Sequence, residues 1–235
     1  MKNPNSEYFD SWAEEYNALP NENSFHIKYI GNFINKKECL SSTKCNSTII
    51  DLGVGNGRFS YSIACKFSRI IGIDASVNQL KLAENKLKNS CKYLNLVQHD
   101  LEEKLPLEDK SIDMVVSNAV IHHIKDKMGL FKEVYRVLKS KGRFIFFDFY
   151  FGEIEEGTKK ESELMQVHNP ILSEKFVSSI RQEHNLMPQH LEETHPEEYH
   201  EPPQSLVNIL RGLGFRGCNA IPTFYPKYIG IRGVK

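Results

Sequence analysis

An α/β fold with a doubly wound, mostly parallel sheet follows from three observations. Strand and helix patterns alternate through the middle of the chain. The apolar segment Thr48-Ile-Ile-Asp-Leu52 runs straight into three alternating glycines at 53, 55 and 57, the mark of a tight strand-to-helix turn. Gly142–Phe149 is almost continuously apolar, as expected of a strand buried on both faces.

The elements follow in order. Residues 1–45 read as a helical, polar-aromatic cap, with Tyr8, Trp12 and Tyr16 spaced along one helix face. Strand 1 is Ser47–Leu52, and a helix runs from Gly57 to Phe67. Strand 2 is Arg69–Asp74. The next helix opens at Ser76, with Gln79 three residues on as a capping box and Val77, Leu80, Ala83 and Leu87 at helical spacing. Strand 3 is Tyr93–His99, strand 4 Ile112–Ser117, a helix spans Lys127–Leu138, and strand 5 is Gly142–Phe149. Near the end, Pro203–Leu213 reads as a helix stopped by Gly214. Strands Gly217–Ile221 and Tyr228–Gly233 follow, which brings the sheet to seven.

At 235 residues the chain is sized for one domain. The expected plan is an N-terminal cap (1–45), a core (46–149), an insertion after strand 5 (150–202), and a C-terminal helix with two strands (203–235). The insertion carries many charges, histidines 168, 184, 190, 195 and 200, and prolines 170, 188 and 196. It reads as a helical lid, the kind of segment in which selectivity resides.

Lys plus Arg number 30 and Asp plus Glu number 30, so the net charge is zero. A nucleic-acid binder carries a basic excess or stripe. The nearest candidate here, Lys81, Lys86, Lys88 and Lys92, is the solvated face of a helix. The five cysteines (39, 45, 65, 91, 218) form no metal-like pair, and the N-terminal residues are polar. Free thiols in a reducing cytoplasm are expected. No apolar run approaches the roughly 18 residues of a membrane span. The lid histidines, with Glu192, Glu193, Glu197 and Glu198, match no common metal spacing, so no metal is expected.

Two acids flank the glycine turn. Asp51 stands near the end of the first strand, two residues before the first glycine, and Asp74 ends the second. The dinucleotide fingerprint G-x-G-x-x-G sets pyrophosphate on a helix N-terminus. Here the third glycine arrives one residue early, at Gly57, and Arg58 takes the fingerprint's last place. Paired carboxylates around such a turn suit a nucleoside ligand that is cationic rather than phosphate-like. The bland alternatives are a purely structural turn and, for Asp74, an acid at a helix N-terminus.

Asp51-Leu-Gly-Val-Gly-Asn-Gly57 resembles motif I of the class I S-adenosylmethionine-dependent methyltransferases, and Gly72-Ile-Asp74 resembles motif II. Further similar stretches follow in order: Val97-Gln-His-Asp-Leu101, Ser111–Asn118 and Val137–Ile145, with Tyr8–Asn17 similar to the opening of many small-molecule members. The resemblance implies a Rossmann-like sheet and S-adenosyl-L-methionine as cofactor, with S-adenosyl-L-homocysteine as product. It implies that Asp51 and Gly53, Gly55 and Gly57 hold the methionine moiety, Asp74 the ribose, and Asp100 and Leu101 the adenine, with Ala75 also at the cofactor. Asn118 and Tyr16 complete the implied set.

Methyl transfer needs a general base only when the nucleophile arrives protonated. His122 and His123, directly after strand 4, are the candidates, because imidazole titrates near neutrality. Ser117-Asn-Ala-Val120 lacks the two prolines and the aromatic of amino methyltransferases acting on bases or glutamine. The expected function is methylation of a small molecule at oxygen, nitrogen or carbon. The alternatives are a tRNA or protein methyltransferase and a non-catalytic cofactor-binding regulator or partner subunit.

Overall fold

The computed structural model describes residues 4–11, 13–17, 25–35, 47–150, 156–185 and 197–235. In chain order it has α1 Pro4–Ser11, α2 Ala13–Asn17, α3 Phe25–Phe33, β1 Thr48–Leu52 and α4 Arg58–Ile63. Then come β2 Arg69–Asp74, α5 Val77–Leu87, β3 Tyr93–Gln98, β4 Ile112–Asn118, α6 Lys127–Val137 and β5 Leu138–Phe149. The chain closes with α7 Glu156–His168, α8 Pro170–Asn185, α9 Pro203–Gly212, β6 Arg216–Ile221 and β7 Tyr228–Val234. The seven strands are ordered β3-β2-β1-β4-β5-β7-β6. β1, β2 and β3 are parallel, as are β4 and β5, while β7 is antiparallel to β5 and β6.

The chain divides into two compact units, residues 1–100 with 175–197, and residues 101–174 with 198–235. In the first unit all five residues of β1 are buried. One face of α5 packs Leu80, Ala83 and Leu87 on Val54, with Leu94 and Leu96 of β3 against the same cluster. In the second unit the core is aromatic. Phe131 of α6 meets Phe144 and Phe146 of β5 edge-on or tilted, and Tyr135 meets Phe215 at 5.0 Å.

β5 starts at Leu138, four residues before the predicted Gly142, with no loop after α6. The polar run Lys139-Ser-Lys-Gly142 is a bulge rather than a turn. Ile112 pairs with Leu138 and Met114 with Arg143, and Lys141 takes φ 65°. Backbone pairing carries the strand through a stretch whose side chains read as a stop signal. The capping box is half present. Ser76 Oγ accepts from Gln79 N, yet the Gln79 amide donates to Phe9 O, and Ser76 N–H donates to Asp74. The segment expected as a helical insertion, 150–202, contains α7 and α8 among its described residues, and Pro170 opens the second at the position proline tolerates best.

Candidate functional site

In the first unit the glycine turn is built around two carboxylates. Gly55 takes φ 50° and Gly57 φ 80°, the left-handed region that glycine enters without a Cβ clash. The two differ in what a side chain would meet. A Cβ at Gly57 would strike Ala83 and Leu87 at 3.1 Å, so that glycine also lets α4 approach α5. A Cβ at Gly55 would meet nothing closer than Gln79 Oε1 at 4.0 Å, which leaves open space beside the turn.

Asp74 stitches turn to strand. Its Oδ2 accepts from Gly55 N at 2.8 Å and its Oδ1 from Ser76 N at 2.9 Å. Burial pushes its pKa up, against the lowering effect of these donors, and Asp10 pushes the same way. Four lone-pair sites on a carboxylate leave capacity for two hydroxyls after two backbone bonds. The helix-end reading of Asp74 is therefore also met, because it caps the approach to α5.

Asp51 is 1 % exposed. Its Oδ2 accepts from Ser60 Oγ at 2.7 Å, and its Oδ1 is buried with no hydrogen-bond partner among the described residues. Desolvation pushes its pKa up to about 8, with Asp74 adding and Ser60 opposing. A dry carboxylate with one oxygen unmatched is costly unless a cation joins it.

α1 closes over the same edge. Ser6 Oγ donates to Ala75 O at 2.9 Å, and Asp10 Oδ1 accepts from Ser76 Oγ and from Asn78 N, the latter at 2.9 Å. Ser6 and Asp10 make these contacts from the N-terminal segment. Tyr16 lies in α2, with its side chain outside the described residues, and Trp12, His190, His195, Glu192 and Glu193 also lie outside them. Asp100 is half-buried two residues beyond β3.

The remaining predicted residues belong to the second unit. Leu101 is buried, and Asn118 ends β4 with its Oδ1 accepting from the Tyr228 hydroxyl. His122 and His123 form a 3₁₀ turn, Ile121–His123, with their rings 3.9 Å apart. His122 Nδ1–H donates to Asp148 Oδ1 at 2.5 Å, and its backbone N–H donates to Asp148 Oδ2 at 2.9 Å. Residues 198–200 cross this turn. Tyr199 N–H donates to His122 O at 2.6 Å, the His200 ring lies parallel to that of His122 at 5.5 Å, and His200 Nε2 pairs with Glu198 at 2.6 Å. Lys127 is buried, its Nζ donating to Ile124 O and Tyr199 O.

No sequence signal points to Asp10 or Tyr228, whose partners Asn78 and Asn118 lie 68 and 110 positions away, or to Ser60, which reaches Asp51 across nine. Asp148 had a usable one, a lone carboxylate inside Phe144-Ile-Phe-Phe-Asp-Phe149. Among the described residues no group of three or more His, Cys, Asp or Glu could hold a metal ion, and no helix is long and apolar enough to cross a membrane.

Residues 50–146 match the methyltransferase domain family. The chain is 33% identical over 132 residues to the arsenite methyltransferase of Mus musculus, covering 51% of this chain and 35% of that one. It is 30% identical over 153 residues to a ubiquinone/menaquinone biosynthesis C-methyltransferase of Pectobacterium atrosepticum, covering 61% and 58%. The chain thus spans between a third and three fifths of the length of these two curated relatives. Among solved structures, a Methanococcus maripaludis protein assigned to the S-adenosyl-L-methionine-dependent methyltransferases shares the fold. Its TM-score is 0.61 at 24% identity, covering 97% of this chain and 94% of that one.

Proposed function

Because the chain belongs to the class I S-adenosylmethionine-dependent methyltransferases, we propose that it transfers the cofactor's methyl group to a small-molecule acceptor. The observation that carries this reading is Asp51, a 1 % exposed carboxylate whose Oδ1 lacks a partner among the described residues beside an open glycine turn. When bound, the cofactor supplies a methyl carbon activated on a sulfonium, which leaves as a neutral thioether.

The residues of the first unit divide the binding. Asp51 takes the ammonium group, and Gly53, Gly55 and Gly57 admit the methionine moiety. Asp74 accepts the ribose hydroxyls beside Ala75. Asp100, Leu101, Asn118 and Tyr16 join the set on the resemblance alone. We take the two units as parts of one methyltransferase domain. Zero net charge supports a small acceptor over nucleic acid. The names of two relatives, for arsenite and for ubiquinone/menaquinone biosynthesis, point the same way. The free thiols Cys65, Cys91 and Cys218 support a cytoplasmic location.

Thermal melting with S-adenosylhomocysteine tests the cofactor assignment. A ligand at a hundred times its Kd stabilises the native state by about 2.7 kcal/mol, so the melting temperature rises. No rise at saturation, together with a rise from NAD, overturns the reading. Asp74→Ala is expected to weaken binding about 10- to 100-fold, the worth of one or two hydrogen bonds to a charged group. Unaltered affinity in a folded variant would move the ribose role to another residue.

A further inference from the structure

Gln79 is the third residue of α5, where a capping box would use its side chain. In that arrangement the glutamine reaches back to the N–H of the cap residue and is satisfied there. Here the Ser76 N–H already donates to Asp74 Oδ1 at 2.9 Å. The capping role is taken, and the Gln79 side chain is left for something else.

The two ends of its amide are served unequally. Nε2 donates to Phe9 O of α1 at 3.5 Å, a long hydrogen bond. Oε1 is buried with no hydrogen-bond partner among the described residues, in a residue that is 3 % exposed. The Phe9 carbonyl settles which end is which, because turning the amide over would set two acceptors against each other. A buried carbonyl without a donor lowers stability until a donor reaches it.

The position of that oxygen gives it a use. Apart from its chain neighbours, a Cβ built on Gly55 would find Gln79 Oε1 at 4.0 Å and nothing nearer. The orphaned acceptor therefore borders the open side of the glycine turn. Gly55 N–H donates to Asp74 Oδ2 at 2.8 Å, so the Asp74 carboxylate and Gln79 Oε1 adjoin the same residue. Phe9, Gly55, Asp74 and Gln79 all belong to the first unit.

We infer that Gln79 is a further binding residue of the cofactor site, its Oε1 accepting a hydrogen bond from one hydroxyl of the sugar while Asp74 takes the other. This rests on the proposed function and deepens it, because the diol is shared rather than held by Asp74 alone. A cis-diol brings two O–H donors side by side, and two adjacent acceptors match it. Asp74 already accepts from two backbone N–H groups. A neutral amide oxygen beside it supplies the second acceptor without burying a second anion. An ammonium group is served better by the carboxylate of Asp51, since a charged acceptor makes the stronger bond to a cation. The last torsion of a glutamine is broad, so Oε1 turns toward the sugar at little cost.

Two measurements test the inference. Gln79→Met keeps the side-chain volume and removes both polar ends. By calorimetry it is expected to weaken binding of S-adenosylhomocysteine about 3- to 10-fold, the worth of one neutral hydrogen bond. With two analogues, each lacking one sugar hydroxyl, the substitution should cost nothing for one and the same factor for the other. An equal loss for all three ligands would make Gln79 a tie to Phe9 only and overturn the inference, as would no loss for any. The second measurement needs no variant. In protein labelled with 13C-glutamine, the Gln79 side-chain carbonyl should move downfield when S-adenosylhomocysteine binds, as a carbonyl does on gaining a donor. A resonance that stays in place overturns the inference. If S-adenosylhomocysteine does not bind the wild type, the cofactor reading fails and this inference with it. If it binds wild type and Gln79→Met equally, the inference alone fails.

Discussion

Asp51 lies one residue from the end of β1 in the first unit, with one oxygen on Ser60 and the other unmatched among the described residues. Asp148 lies one residue from the end of β5 in the second unit with donors from His122 Nδ1, His122 N and Phe149 N, the last at 2.7 Å. Both are buried aspartates near the carboxyl ends of apolar strands. They differ in who satisfies them. The protein itself completes the shell of Asp148, whereas Asp51 Oδ1 has no partner among the described residues, and the proposed cationic ligand would supply one. A buried carboxylate supplied by its own chain is part of the fold; one left short is a binding site held at a cost in stability.

The largest effect should come from removing the supplied partner. Asp148→Ala leaves His122 buried without its counter-charge, and a stability loss of about 3 kcal/mol is expected in urea unfolding. A loss below about 1 kcal/mol would mean that solvent already satisfies that histidine. Asp51→Asn should act in the opposite direction. It replaces a group that must take up a proton to stay buried at neutral pH, so the ligand-free protein should gain roughly 1–3 kcal/mol while affinity for S-adenosylhomocysteine falls. The wild type should also release protons when it binds that ligand at pH 7, because a cation favours ionised Asp51, and calorimetry in buffers of different ionisation enthalpy reads this directly. Tight binding without proton release would put the ammonium elsewhere.

The smallest effect is the shape of stability against pH. Asp51 has a folded pKa raised from 3.8 to about 8, so ligand-free stability is lost as pH rises through that window. His122 is also raised, so its contribution is full below 6.5 and lost as pH climbs through the higher folded value. Both slopes run the same way, and the variants separate them. Asp51→Asn should flatten the acid part of the curve and leave the part above 6.5 that belongs to His122.

The strands and glycine turn were legible because their signals are local. β2 was predicted to the residue, and β1, β3, β4, β6 and β7 to within one residue at each end. The start of β5 was missed because sheet pairing, set by Ile112 and Met114 on another strand, overrode a polar sequence. The same division holds in the candidate site. Asp51, Asp74 and the glycines stand within 24 residues of one another and announce themselves by spacing. Asp10 acts on Asn78 across 68 positions, and Asp148 on His122 across 26, and no short-range pattern encodes either pairing.

From its sequence alone this protein was committed to an α/β sheet, to a glycine turn between two acids, and to a pair of histidines after the fourth strand. Periodicity, glycine and strand-end carboxylates are properties of neighbours along the chain. Which carboxylate keeps an unmatched oxygen, and which histidine nitrogen remains without a partner, was decided only in three dimensions. Desolvation and hydrogen-bond supply depend on what packs around a group, and those neighbours come from distant parts of the chain.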